Sequence, residues 1–199
     1  MKTLICFEFS GIVRDAFAAL GHNAWSCDLL PSERPGNHLQ CDFRDAIADP
    51  SWDFIGFHPD CRVMANSGVR WLDTIPGRRD ELAEAAHLFN LCLRDPRPGY
   101  VENSIMHYHA KALIDRPQDQ VIQPHHYGEP RFKATCLWLK GVPPLKPTNR
   151  LTVPRKGTVE YRQWSAVHFA SPSPTRWKER SRTFPGVAKA MSEQWGGTV

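Results

Sequence analysis

Two kinds of motif are missing from this chain. None of its six cysteines (Cys6, Cys27, Cys41, Cys61, Cys92 and Cys136) stands in a CxxC pair, and no GxGxxG turn is present. The first absence excludes a zinc knuckle or a disulfide framework, which fits the reducing cytoplasm and leaves each thiol to be judged alone. The second removes the usual grip on a pyrophosphate. The chain also lacks an apolar run long enough to span a bilayer, a signal segment, an internal repeat and a low-complexity tract, so it reads as soluble and intracellular with no membrane partner. His107 and His109, like His125 and His126, have no Cys or carboxylate at ligand spacing, and no metal site is expected. With 199 residues the chain buries one real core and is too short for a multidomain machine.

Charge is present but uneven. Residues 131–199 hold 13 Lys and Arg against 3 Asp and Glu, while the first 130 residues hold 12 against 18. Trp138, Trp164, Trp177, Trp195 and Tyr161 are interleaved with that basic surplus, a mixture that suits a partner offering phosphates and bases. A solvated basic face with a few anchoring aromatics accounts for the composition as well.

Along the first 60 residues strand-like and helix-like patterns alternate, which predicts an α/β fold with a mostly parallel sheet and helices on both faces. KTLICFEF is a buried strand, and SGIVRDAFAALGH an amphipathic helix that Ser10 caps and Gly21 ends. NAWSCDLL, LQCDF and WDFIGF are further strands, RRDELAEAAHLFNLCLRD is the best helix, and IMHYHAKALID reads as helical. Gly99-Tyr100-Val101 leads into another strand, and KATCLWLKG is a late strand closed by Gly141. From Val142 the Pro-rich, basic chain is loop-like, SPSPTRW included, until a last helix over about 184–194. These features divide the chain into a core (1–141), a basic Pro-rich segment (142–180) and a terminal helix packing back on the core (181–199).

In open parallel sheets ligands bind at the carboxyl ends of the strands. There the sequence places Phe9-Ser10-Gly11 with a helix start able to face a polar ligand, then Asp28, suited to ribose hydroxyls, then Asp42, suited to an exocyclic amine. Helix caps and turn residues explain each singly; together they outline a nucleoside-shaped pocket.

Five stretches in order resemble the cytosine-C5 DNA methyltransferase family. FEFSGIVRDAF is similar to its first motif, and WSCD and QCDF stand at its adenosine-binding acids. WDFIGFHPDCRVMANSG resembles its catalytic loop, YVENS its Glu-Asn-Val motif, and YGEPRFKATCLWLKG its Tyr-Gly-x-Pro-Gln-x-Arg-x-Arg motif. The match covers about residues 3–141, with RTFPGVAKAM in place of the final helix motif. The resemblance implies a Rossmann-like, S-adenosylmethionine (SAM)-dependent methyltransferase acting on DNA. It implies Cys61 as the nucleophile, Glu102 as the acid at N3 of the base and Lys133 as the contact to the base carbonyl. Phe9, Ser10, Gly11, Asp28, Asp42 and Pro59 would hold the cofactor, and Arg62, Asn103, Arg131, Arg155 and Lys156 the DNA, with Asn103 also orienting the catalytic loop.

The pattern also departs from the family. Asp60 replaces the Pro before the cysteine, and an anion beside a thiol raises its pKa, with Arg62 placed to offset it. Ser104 replaces Val, Lys133 and Thr135 replace the two Arg, and Phe7 stands at the first motif's acidic position, with Glu8 one place on. Only about 40 residues fill the interval where the family carries a target-recognition domain. Duplex DNA, single-stranded DNA or a free pyrimidine nucleotide therefore remain alternative substrates. A non-catalytic homologue that binds SAM or nucleic acid is the alternative to an enzyme.

Overall fold

The computed structural model describes residues 1–169 and 176–197. Its centre is a seven-stranded sheet of β1 (Lys2–Cys6), β2 (Asn23–Asp28), β3 (His38–Gln40), β4 (Phe54–Phe57), β5 (Gly99–Ser104), β6 (Gln120–Ile122) and β7 (Thr135–Lys140), in the order β3-β2-β1-β4-β5-β7-β6. The first five strands in that order pair in parallel; β7 alone is reversed, antiparallel to both β5 and β6.

Side chains alternate across the pleat, and each sheet face has its own core. Leu4, Ile55, Val101 and Trp138 meet α2 (Phe43–Ile47) and α3 (Arg78–Arg94) through Phe43, Leu82, Phe89 and Cys92. Ile5, Phe54, Tyr100 and Leu137 meet α1 (Ile12–Ala18) and α8 (Pro185–Trp195) through Val13, Phe17, Met191 and Trp195. Strands buried on both faces read as unbroken apolar runs, which is why KTLIC and FIGF are plain in the sequence.

The terminal helix begins where expected and is pinned at both ends. Gly186 donates its amide to Glu129, 3.0 Å away, and a Cβ there would lie 2.1 Å from the Tyr127 carbonyl, so only glycine permits this approach. At the other end Trp195 stacks on Tyr100 with ring centres 5.0 Å apart and donates to the Pro143 carbonyl over 2.9 Å.

Several local expectations change. Ser10 does not cap α1: Glu8 reaches over it and accepts from the amides of Val13 (2.6 Å) and Arg14 (3.1 Å). The helical pattern of IMHYHAKALID shortens to one turn, α4 (Tyr108–Lys111), capped by His107. Inside the Pro-rich segment, Thr158 caps α5 (Val159–Trp164), followed by α6 (Ala166–Phe169) and α7 (Arg176–Ser181). This segment is docked on the core: Trp164 is buried and Phe132 donates its amide to the Trp164 carbonyl. Residues 170–175, which include the SPSP run, lie outside the described residues, as do 198 and 199.

Candidate active site

The chain leaves β1 toward β2 and β3, then returns to place β4 on β1's other side, so the switch point lies between β1 and β4. A crevice opens at the carboxyl ends of strands at such a point. Three segments meet along this edge: the loop after β4 (His58 to Cys61), the end of β5 (Glu102 to Ser104) and the turn before β7 at Lys133. The register brings them together, with Phe57 opposite Val101 and Ser104 opposite Thr135.

The cysteine loop is tied down by neighbours from β5 and beyond. Asn103, buried, donates its side-chain amide to the Pro59 carbonyl over 3.1 Å. Asn103 is therefore a loop-positioning residue, as its orienting role anticipates, and its burial removes it from the DNA-contacting set. His107 accepts from Ala110 N through Nδ1 (3.0 Å), so the proton sits on Nε2, which donates to the Val63 carbonyl (2.9 Å). The Cys61 carbonyl accepts from the amides of Met64 and Ala65, closing a tight turn.

Cys61, Glu102 and Lys133 act on one another. Burial pushes the Cys61 thiol up, Glu102 and Asp60 push it further, and Ser104 and the Lys133 charge oppose them. Asp60 is engaged by Arg62, whose backbone amide (2.8 Å) and Nε (2.6 Å) donate to the two carboxylate oxygens. Arg62 is therefore paired with Asp60, yet Asp60 still raises the thiol. Glu102 also lines a small cleft of ≈ 20 Å³ with Lys133, Thr183, Phe184, Val187 and Met191. The cleft has an apolar floor and two charged groups of opposite sign. The Lys133 ammonium donates to the Arg182 carbonyl at 3.1 Å and stands over the Phe184 ring.

Two members of this cluster have no counterpart in sequence reasoning. Ser104, noted only as a departure, acts to lower the Cys61 thiol, while its hydroxyl donates to Asn103 Oδ1 over 3.5 Å. His58 lies between Tyr100, with Nε2 and the hydroxyl 2.7 Å apart, and Glu102, with Nδ1 and Oε2 3.9 Å apart. A histidine before a Pro-x-Cys turn was the available signal, but nothing along the chain gives its partners.

The residues assigned to the cofactor divide. Phe9 is buried under Trp177, and its carbonyl accepts from Glu33 N. Gly11 adopts φ 68, with the Arg14 guanidinium packed where a Cβ would be. The start of α1 does not face a ligand, because Glu8 takes its amides. Asp42 is likewise committed, capping α2 through Arg44 N (2.8 Å) and pairing with the Arg44 side chain (3.1 Å). Asp28 fits better: half-buried at the end of β2, its carboxyl is raised by burial, and it accepts from Leu30 N. A carboxylate there suits a ribose diol. Phe7, the one non-glycine residue with positive φ among those described, sits at the β1 exit with φ 60 and its ring 4.7 Å from Phe43. That conformation costs about 1–2 kcal/mol, and such strain gathers at ligand sites.

Arg131, Arg155 and Lys156 stand apart from the cluster. The Arg131 guanidinium donates to the Pro130 carbonyl, and Arg155 and Lys156 are exposed in the loop before α5. Among the described residues no group of three or more His, Cys, Asp or Glu is placed to hold a metal, and no helix is long and apolar enough to cross a membrane. No family model matches the chain, and no curated protein matches it.

Proposed function

We propose that the protein is a SAM-dependent methyltransferase of the cytosine-C5 type acting on DNA. The observation that carries the reading is the meeting of Cys61, Glu102 and Lys133 from three separate segments at the carboxyl edge of a parallel sheet. A thiol, an acid and a cation in one place are what attack at C6 of a pyrimidine requires.

The Cys61 thiolate bonds to C6, the Glu102 carboxylic acid gives N3 its proton, and the Lys133 ammonium releases the Arg182 carbonyl to donate to the base carbonyl. Once C5 carries the methyl group its hydrogen leaves as a proton to water, the Cys61–C6 bond breaks to return the thiolate, and N3 gives its proton back to Glu102. Glu102, a carboxylate in the resting protein, takes up a proton from solvent as the base binds; that proton supplies the N3 bond and removes the negative charge that otherwise opposes ionisation of Cys61. Lys133 and Ser104 then favour the thiolate. When bound, SAM supplies the methyl group that C5 receives; Asp28 and Pro59 are the residues left to hold it. A duplex substrate has to flip its base toward Cys61 and Glu102, and the small cleft beside Glu102 has to widen to admit it.

The second reading, a homologue that binds SAM or nucleic acid without turnover, is favoured by the two carboxylates that push the Cys61 thiol up. Transfer of label from methyl-labelled SAM to duplex DNA, single-stranded DNA and deoxycytidine nucleotides tests both. The expected outcome is transfer that disappears in Cys61→Ala. No transfer to any of the three, with SAM still bound, would refute the catalytic reading and leave the binding one.

A further inference from the structure

His58 is the buried titratable group of this edge to which the reaction above gives no task. Its side chain is 7% exposed and Glu102's is 16% exposed, so neither interacts mainly with water. The groups facing the ring are Tyr100 and Glu102 from β5 and Lys133 from the turn before β7.

The hydrogen bond to Tyr100 decides which ring nitrogen carries the proton. The Tyr100 hydroxyl is fully buried, and Nε2 of His58, 2.7 Å away, is the acceptor its hydrogen finds among the described residues. If Nε2 held the proton, the hydroxyl would be left as a buried donor with nothing to receive it, at a cost of about 1–3 kcal/mol. The favoured tautomer therefore has Tyr100 donating to Nε2 and a hydrogen on Nδ1. Nδ1 is the nitrogen that points at Glu102 Oε2, 3.9 Å away. Burial lowers the imidazole pKa, Lys133 adds to this and Glu102 opposes it, so at neutral pH the ring is a neutral donor.

We propose that His58 is a positioning residue for Glu102, using the hydrogen that Tyr100 fixes on Nδ1 to orient the carboxyl group and to stabilise the carboxylate left when its proton passes to the substrate ring. This inference rests on the reading of Glu102 as the N3 acid. Proton accounting is closed without ionising the imidazole: the proton leaves Glu102 for N3, and the Nδ1 hydrogen stays on His58 while the 3.9 Å gap shortens to a hydrogen bond. An N–H donor to a developing charge in a site shielded from water is worth more than the same contact in solvent.

The test has one arm that needs no turnover. Nitrogen-15 NMR of the imidazoles in the resting protein should show His58 protonated on Nδ1 and accepting at Nε2, and in Glu102→Gln its titration should move to lower pH, because the carboxylate that raises it is gone. A proton on Nε2, or an unchanged titration in Glu102→Gln, overturns the proposal. In the kinetic arm, His58→Phe should lower kcat roughly tenfold to a hundredfold, part of the 10²–10⁴ that a positioned proton donor contributes, with KM for SAM unchanged. His58→Asn, whose amide nitrogen overlays Nδ1, should restore most of the rate. Equal kcat in His58→Phe and wild type, or failure of His58→Asn to restore what His58→Phe loses, overturns the proposal. If the wild type transfers no methyl group while the NMR signature is present, the methyltransferase reading fails and the His58–Glu102 pairing stands.

Discussion

The side-chain amide of Asn103 donates to the carbonyl of Pro59 over 3.1 Å, joining the end of β5 to the loop that carries Cys61. The bond is buried, so its loss exposes nothing to water that could replace it. Asn103→Ala should destabilise the protein by about 1–3 kcal/mol, and it should speed alkylation of Cys61 by letting the loop open. Urea midpoints and the iodoacetamide rate at Cys61 check the two effects separately. An unchanged alkylation rate would show that other contacts hold the loop.

The reactivity of Cys61 should depend on its neighbours with predictable sign. Burial, Glu102 and Asp60 raise the thiol above its ordinary value near 9, while Ser104 and Lys133 act downward. The alkylation rate should therefore keep climbing beyond pH 9. At pH 8, Glu102→Gln and Asp60→Asn should react faster than wild type, and Ser104→Ala and Lys133→Met slower. A rate–pH profile for each variant, monitored by mass spectrometry at Cys61, is the measurement.

Glu8 couples folding to pH. Burial raises its carboxyl to about 7, against an ordinary value of 4.5, despite the two amides it accepts from. Between those values the native state holds a proton that the unfolded state has lost. Its stabilising contribution is thus fully present below pH ~4.5 and is lost as pH rises through about 7, at most about 3 kcal/mol in all. Glu8→Gln should flatten this part of the stability profile. Denaturation midpoints at pH 5, 6, 7 and 8 for both proteins decide it.

Arg155 and Lys156, exposed ahead of α5, belong to the basic third of the chain and not to the chemical cluster. If they contact phosphates, the double substitution to Ala should weaken DNA binding uniformly across sequences. It should also reduce the slope of log K against log salt by about 1–2. Binding isotherms at several salt concentrations measure this, and methyl transfer to a free nucleotide should be unaffected.

Local pattern by itself determined six of the seven strands, the long helix α3 and the terminal helix, because parallel strands buried on both faces are continuous apolar runs and an amphipathic helix has its own period; the three-residue β6 left no such signal. Pattern also put Cys61 in the turn behind a strand, whereas Glu102, which lies within β5, and Lys133, which precedes β7, came from the family resemblance and not from periodicity. Tertiary structure decided the rest. Glu8 displaced Ser10 as the cap of α1 because a buried carboxylate reaches two amides where the serine hydroxyl stands 3.4 Å from one. Asp42 was absorbed by α2, a five-residue helix too short to leave a periodic signal. His58 became a partner of Tyr100 and Glu102 through the register of β4 against β5. Which side chains face one another across paired strands is a property of that register, and no one strand's sequence carries it.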